Sequence, residues 1–517
     1  MASPQLLQQL LSFLRTHPEL FVSVFCFLLL RRLSRGRGSS DRDCRLPTNW
    51  PVAGMIPGVL VNMERLHEWS TDLLRRTGCT FLVRGPWLNT VDVLITCDPA
   101  NMRHVFTSNF PNYPKGTEFA KIFDVLGNGI FNADMESWSF QRKKAHLVMS
   151  GPKFRAFVEA STKEKLEKGL VPVLGHLADK GDVFNLQDVF LRLTFDTTYN
   201  FVFGVDPASL AVNFPTDPFA KAMDEVEEIL FYRHVIPRAW LKLQKWLNIG
   251  DHRHMRAAQG TIDQCIAHII SARRESKNTT AAGAATDDIL SAYLDSRDEF
   301  DGSDPTFYKF LRDSTLNFMV AGRDTTSSAL TWFFWSLAQN PHVEKMILQE
   351  LRSLAPRNPS FPTSTELRDM VYLHAALCES LRLFPPVPFE HKAPVRPDVL
   401  PSGHRVNKRI RLIFSLYAMG RMEEIWGKDC LEFKPERWIS SSGKLRYEPS
   451  YKFPAFNSGP RTCLGRDLAF TQMKAVVAAV VTNFRFEVAQ GFVAKPRRSI
   501  ILHMRNGLKV RVRKRDG

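Results

Sequence analysis

The sequence predicts one large, mainly α-helical domain with small β-sheets, an α+β fold, carried behind an N-terminal membrane anchor. Three observations lead there: long amphipathic segments at helical spacing, only a few short strand-like runs, and an apolar N-terminal stretch closed by arginines.

The helical pattern dominates from about residue 60, in 160–180, 217–231, 254–275, 307–339 and 465–484. Strand-like alternation is confined to TFLVRG and VDVLIT within 80–96, RIRLIF at 409–414, and SIILHMRNGLKVRVR, which reads as a terminal hairpin turning at Asn506-Gly507. NTTAAGAATDD at 278–288 reads as a loop between helices. No repeat and no second core is visible, and a chain of 517 residues, 44% of them hydrophobic, can bury one large core.

Leu20 to Leu30 is an unbroken apolar run, followed at once by Arg31, Arg32, Arg35 and Arg37. Eleven residues are fewer than the ~20 a spanning helix needs, so the span draws on residues 6–19 or lies partly in the interface. A cleaved signal would carry its charge before the apolar stretch; here the cluster follows it. The expected topology is a single-pass anchor with the N-terminus in the lumen and the body in the cytosol. The chain then divides into an anchor (1–31), a basic, proline-rich linker (32–58) and a globular body (59–517).

The formal charge of +16 calls for an acidic partner: anionic lipid, nucleic acid or an acidic protein face. Nucleic acid has no use for an anchor, and the basic residues are interleaved with acidic ones. The eight cysteines show no CxxC and no zinc spacing, so neither a metal knuckle nor a disulfide framework is indicated, which suits a reducing compartment. In such a compartment the sequon at Asn278 is unused.

FNSGPRTCLG at 456–465 sets one thiol among glycines, far from any other Cys or His. Such a sulfur is either a buried cysteine in a tight turn or the single axial ligand of a haem iron, since haem supplies four nitrogens itself. In the second case Gly459 and Gly465 let the backbone run close and aim N–H groups at Cys463, Phe456 packs beside the sulfur, and Arg461 reaches a propionate. Three further motifs favour it. AGRDTT at 321–326 lies inside an apolar helix pattern, where Gly322, Asp324 and Thr325 are expected to weaken the helix and open a groove for dioxygen; Asp324 and Thr325 can relay protons there. ESLR puts Glu379 and Arg382 on one helical face before the helix-ending LFPPVP, and KPERW offers Arg437 as a second cation for a structural carboxylate. WSFQR places Trp138 and Arg142 one helical turn apart, within reach of the propionates.

Taken together and in this order, FxxGxRxCxG, (A/G)Gx(D/E)T(T/S), ExxR and PER resemble the cytochrome P450 superfamily over essentially the whole chain. NYPKGTEFAKIFDVLGNGIF, FYRHVIP, PPVPFEHK and LPSGHRV resemble more closely the plant midchain alkane hydroxylase family, a branch of the fatty-acid hydroxylase group that also contains noroxomaritidine synthase. The resemblance implies a haem domain over 59–517 with haem b (heme, iron protoporphyrin IX) on Cys463. It further implies dioxygen, electrons from NADPH through a separate cytochrome P450 reductase, and a place on the endoplasmic reticulum membrane. Lys392 joins the propionate candidates. The resemblance places a hydrophobic substrate against the 119–131 loop, with Phe119, Ile122 and Phe123 foremost, the 318–326 segment including Ala321, and the 387–389 stretch beginning at Val387. Long-chain alkane hydroxylation and intramolecular phenol coupling of a methylated norbelladine share these motifs. A haem-thiolate isomerase or dehydratase is disfavoured by the Asp324-Thr325 pair, and a haem sensor would need no oxygen groove.

Overall fold

The computed structural model describes residues 46–515 apart from 51–52, 86–91, 237, 280–286, 296–303 and 355–361. The expected anchor and most of the 278–288 loop lie outside these residues. No helix among the described residues is long and apolar enough to cross a membrane. Within the expected linker, Pro57 opens a short helix, Ile56–Val61, as its fixed φ and missing N–H allow at a first turn.

The chain is helix-rich with small sheets, as the periodicity predicts. The helices that build the site are α1 (Gly116–Ile122), α2 (Met135–Ser150), α3 (Leu186–Phe203), α4 (Pro218–Val235), α5 (Arg238–Leu247), α6 (Gly250–Thr279), α7 (Asp304–Gln339), α8 (Val371–Leu383) and α9 (Arg466–Asn483). α7 is the spine. α3 packs along it, and where they cross a Cβ on Gly322 would stand 2.7 Å from both γ atoms of Thr198. Around this crossing one core gathers Phe190, Phe333 and Leu377, while a second, under α4 and α6, gathers Phe203, Ile266 and Met319.

The strands are β1 (Thr80–Val83), β2 (Asp92–Thr96), β3 (Phe184–Asn185), β4 (Phe389–Lys392), β5 (Asp398–Val399), β6 (Arg405–Val406), β7 (Ile410–Ser415), β8 (Phe484–Val488) and β9 (Lys509–Lys514). One sheet runs β1-β2-β7-β4, with β2 and β7 parallel so that Leu94 faces Leu412; β3-β9-β8 and β5-β6 form the others. The expected terminal hairpin does not form. β9 pairs with β8 instead, and 499–504 is held to α7 by Ser328 and Trp332, which both donate to the Leu502 carbonyl. Backbone groups spent on a helix side chain cannot also build a ladder. The expected weakening of the helix at AGRDTT is also absent: α7 is continuous from Asp304 to Gln339, and the Thr325 hydroxyl donates to the Ala321 carbonyl at 2.7 Å without breaking it.

Gly322→Ala tests the crossing. Overpacking against Thr198 costs about 1–3 kcal/mol, more than the ~1 kcal/mol of helix propensity gained, so the urea midpoint falls. Adding Thr198→Ala, which removes both crowding atoms, restores it.

Candidate functional site

A cavity of about 1650 Å³, counting its open mouth, separates α7 from the 454–465 loop. Cys463 lines one side; Phe318, Ala321, Gly322, Thr325 and Thr326 line the other. The loop is held by its backbone, since the Cys463 amide donates to the Phe456 carbonyl at 2.8 Å. Gly459 has φ of +66°, and a Cβ there would stand 1.8 Å from the Phe106 carbonyl oxygen, so only glycine fits. Its close approach is thus to the 104–108 turn of the chain, not to the face of a cofactor. Gly465 meets its expectation differently: its amide donates to the Cys463 sulfur just before α9 begins. Burial pushes the Cys463 thiol up, while that hydrogen bond and Arg142 pull it down. The exposure of Cys463 is to the cavity. Phe456 lines the same wall, its ring 5.0 Å from Phe470.

Cations cluster at the Cys463 end. Trp138, Arg142, Arg461 and Lys115 all line the cavity. The indole of Trp138 lies 4.8 Å from the Arg461 guanidinium and 5.7 Å from that of Arg142. Arg142 donates to the Thr462 carbonyl at 2.8 Å. Arg461 bonds Asp134 at 2.7 Å and the Ala133 carbonyl at 2.6 Å, leaving its buried Nε without a hydrogen-bond partner among the described residues. Lys392 stands behind this wall, not on it. Its ammonium is fully buried over Phe106 and Phe110 and has no hydrogen-bond partner among the described residues; burial, with Arg461 and Lys115 nearby, lowers its pKa to about 7.

Glu379 is buried on α8. Arg382 holds it with two hydrogen bonds of 2.8 Å, and Arg437 Nε lies 3.4 Å away. Two further donors went unread in the sequence: Trp438 Nε1 at 2.9 Å and the Lys434 amide at 3.0 Å. The tryptophan after PER was the available signal.

Residues 44–510 match the cytochrome P450 family. The chain belongs to it. It is 44% identical to alkane hydroxylase MAH1 of Arabidopsis thaliana over 508 residues, covering 98% of this chain and 99% of that protein. It is 42% identical to noroxomaritidine synthase 2 of Narcissus pseudonarcissus over 508 residues, 97% of each, and 39% identical to cytochrome P450 86B1 of Arabidopsis thaliana over 505 residues, 95% of this chain and 89% of that one. The protein is therefore a haem-thiolate monooxygenase that uses dioxygen, NADPH-derived electrons from a partner reductase and a hydrophobic substrate. The residues present suit a haem: a lone sulfur opening into the cavity, cations beside it, and an unpartnered Arg461 Nε that a propionate could accept from.

Not every expected residue reaches the cavity. Ala321 and Val387 line it, with Ile130 and Phe131. Phe119, Ile122 and Phe123 are absent from the wall: on and just after α1, Phe119 and Phe123 stack on each other at 4.3 Å, and their other ring contacts are His391 and His234. Asp324 is also behind the wall, its carboxylate 3.2 Å from Arg323, although Thr325 is on it. Asn317 straps the 126–131 loop to α7. Its amide donates to the Leu126 and Asp313 carbonyls and its oxygen accepts from the Phe131 amide.

Glu379→Gln removes the charge that compensates Arg382. Breaking a buried pair in this way costs about 3–5 kcal/mol, so the urea midpoint drops sharply and haem content falls with it.

Proposed function

We propose that Cys463 holds the haem iron and that the enzyme hydroxylates a long-chain hydrocarbon or fatty-acid-like compound. The observation that carries this is the cavity itself, in which the Cys463 sulfur faces an apolar stretch of α7. When bound, haem activates dioxygen with two electrons passed from NADPH. The chain's own residues do the rest. Arg142, Arg461 and Trp138 hold the propionate side, with Lys392 supporting from behind. Phe456 and the Gly465 amide steady the sulfur. Thr325 presents its hydroxyl at the wall, and Asp324 holds the proton that Thr325 passes on. Phe131, Phe318, Ala321 and Val387 exclude water and orient an oily chain. Glu379, Arg382 and Arg437 fix the scaffold.

Asn317 favours the hydrocarbon reading over phenol coupling. Both its amide hydrogens and its oxygen are committed to the protein, so it has little left for a phenol. The relative named alkane hydroxylase points the same way, while the relative named noroxomaritidine synthase keeps coupling as the second reading. Labelled dioxygen separates them. With a long-chain alkane the product gains one labelled oxygen; with a methylated norbelladine a coupling enzyme loses two hydrogens and gains no label. Cys463→Ser abolishes both the red-shifted Soret band of the reduced carbon monoxide complex and turnover. Label-free coupling without alkane oxidation would reverse the assignment.

Residues 1–31 anchor this body to the endoplasmic reticulum membrane, where wax or lipid precursors reside. Support comes from α5, an amphipathic helix that exposes Trp240, Leu243, Trp246 and Leu247 alongside Lys242 and Lys245, and from exposed Leu60 and Val61. Protease added to sealed microsomes should digest the body; full protection would reverse the topology.

A further inference from the structure

Behind the α7 wall, three segments bring ionisable groups to one buried point. α4 contributes Asp224 and Glu227, α7 contributes Arg323 and Asp324, and the C-terminal segment contributes Ser499 and His503. Glu227, Asp324 and His503 each place a polar atom within 4.8 Å of the other two. His503 Nε2 is 3.4 Å from a Glu227 oxygen, and Ser499 donates to the other Glu227 oxygen. Arg323 bonds Asp224 at 2.6 Å and lies 3.2 Å from Asp324. Glu227, Arg323, Asp324 and His503 are all buried, whereas the Asp224 side chain is 47% exposed and marks the solvent end.

Charge balance shows what such a cluster must do. Arg323 is bonded to Asp224 and offsets that charge, which leaves Glu227 and Asp324 with a single histidine. Two buried carboxylates beside a neutral imidazole are too costly; an imidazolium offsets one of them and a proton neutralises the other, so the cluster has room for two protons shared among His503 and the acids. The individual groups agree. Burial pushes Asp324 up to about 7 against the pull of Arg323, and although burial opposes the His503 cation, Glu227 raises its pKa above the usual histidine value. Asp324 Oδ1, His503 Nδ1 and two Arg323 nitrogens are buried with no hydrogen-bond partner among the described residues, the polar surroundings in which ordered water bridges groups.

We propose that Glu227 and His503 form a proton store that recharges Asp324 from the Asp224–Arg323 side. The proposal rests on the reading that Asp324 and Thr325 deliver protons to the cavity. One delivery takes the proton from the Asp324 carboxyl. The His503 imidazolium N–H replaces it, leaving a neutral imidazole and a carboxylic acid, and a solvent proton entering past Asp224 restores the cation. No electron moves within the cluster. His503 and Glu227 touch neither substrate nor haem in this scheme; they act through Asp324.

The full-length protein with its reductase and a long-chain alkane provides the test, with NADPH, product and peroxide measured from about pH 6 to about pH 8.5. Wild-type coupling should fall as pH rises and the store empties. His503→Gln and Glu227→Gln should raise peroxide per NADPH several-fold and flatten that profile. Ser499→Ala, a milder change, removes a bond that favours charged Glu227 and should move the profile to higher pH. A second readout uses the resting protein without NADPH. A histidine whose folded pKa is raised contributes stability that is present below its unfolded value and lost as pH rises through the folded one. The gap in thermal midpoint between wild type and His503→Gln should therefore be widest near pH 6 and close toward pH 8.5. A pH-independent gap overturns the proposal, as does wild-type coupling in His503→Gln and Glu227→Gln when Asp324→Asn uncouples. Unchanged coupling in Asp324→Asn removes the proton-delivery reading itself, and this inference with it.

Discussion

Glu379 is a carboxylate with no contact with solvent, and the Cys463 side of the cavity hangs from it. Its charge is tolerable only because Arg382, Trp438 and the Lys434 amide all donate to it. Those donors come from two places, α8 and the 434–438 turn, so satisfying one side chain fixes their separation. Arg382 extends the link, donating to the carbonyls of Gly420, Cys430 and Glu432. The rings carry it onward: Trp438 lies 4.6 Å from Phe453, three residues before Phe456, whose carbonyl receives the Cys463 amide. A polar network fixes directions that packing alone leaves loose. A cysteine that is to hold a haem iron, as proposed for Cys463, would need such a fixed direction.

The opposite wall is positioned by separate means. α7 is held by close packing at the Gly322–Thr198 crossing, by the Asn317 strap to the 126–131 loop, and by Ser328 and Trp332 on Leu502. The cavity thus lies between two walls, each with supports of its own, that meet in one shared core gathering Phe333 of α7, Leu377 of α8 and Val477 of α9. Its width is set by that core.

What could be read in the sequence follows from how local each signal is. Helical periodicity and the proline stop after α8 are local, and they placed α7, α9 and the end of α8 within a few residues. The Cys463 loop and the Glu379–Arg382 pair were legible because their spacing carries their chemistry. The misreadings concern choices between partners far apart in the chain. SIILHMRNGLKVRVR has the alternation and the Asn-Gly turn of a hairpin, yet 499–504 is taken by α7 and β9 by β8. Phe119 and Phe123 are apolar and lie near the site in sequence, but pair with each other because α1 turns them toward His391 and His234. Glu227 and His503 are 276 residues apart and have no spacing to reveal them.

The two walls also differ in the sign of their charge. At the Cys463 end Arg142, Arg461 and Lys115, with Lys392 behind, outnumber Glu390 and Asp134, which pair with Lys115 and Arg461; behind α7 Asp224, Glu227 and Asp324 outnumber Arg323 and His503. Cations on the first side stabilise an anionic sulfur and would stabilise propionates. Acids on the second side favour bound protons, on themselves or on His503, as the proposed store requires. Oxygen chemistry at haem needs electron density from the sulfur and protons from the opposite face, and mixing the two populations would weaken both. An apolar backing for α7 would pack as well and cost less desolvation. The charged groups behind that wall therefore fit the proposed proton store, and packing alone gives no reason for them.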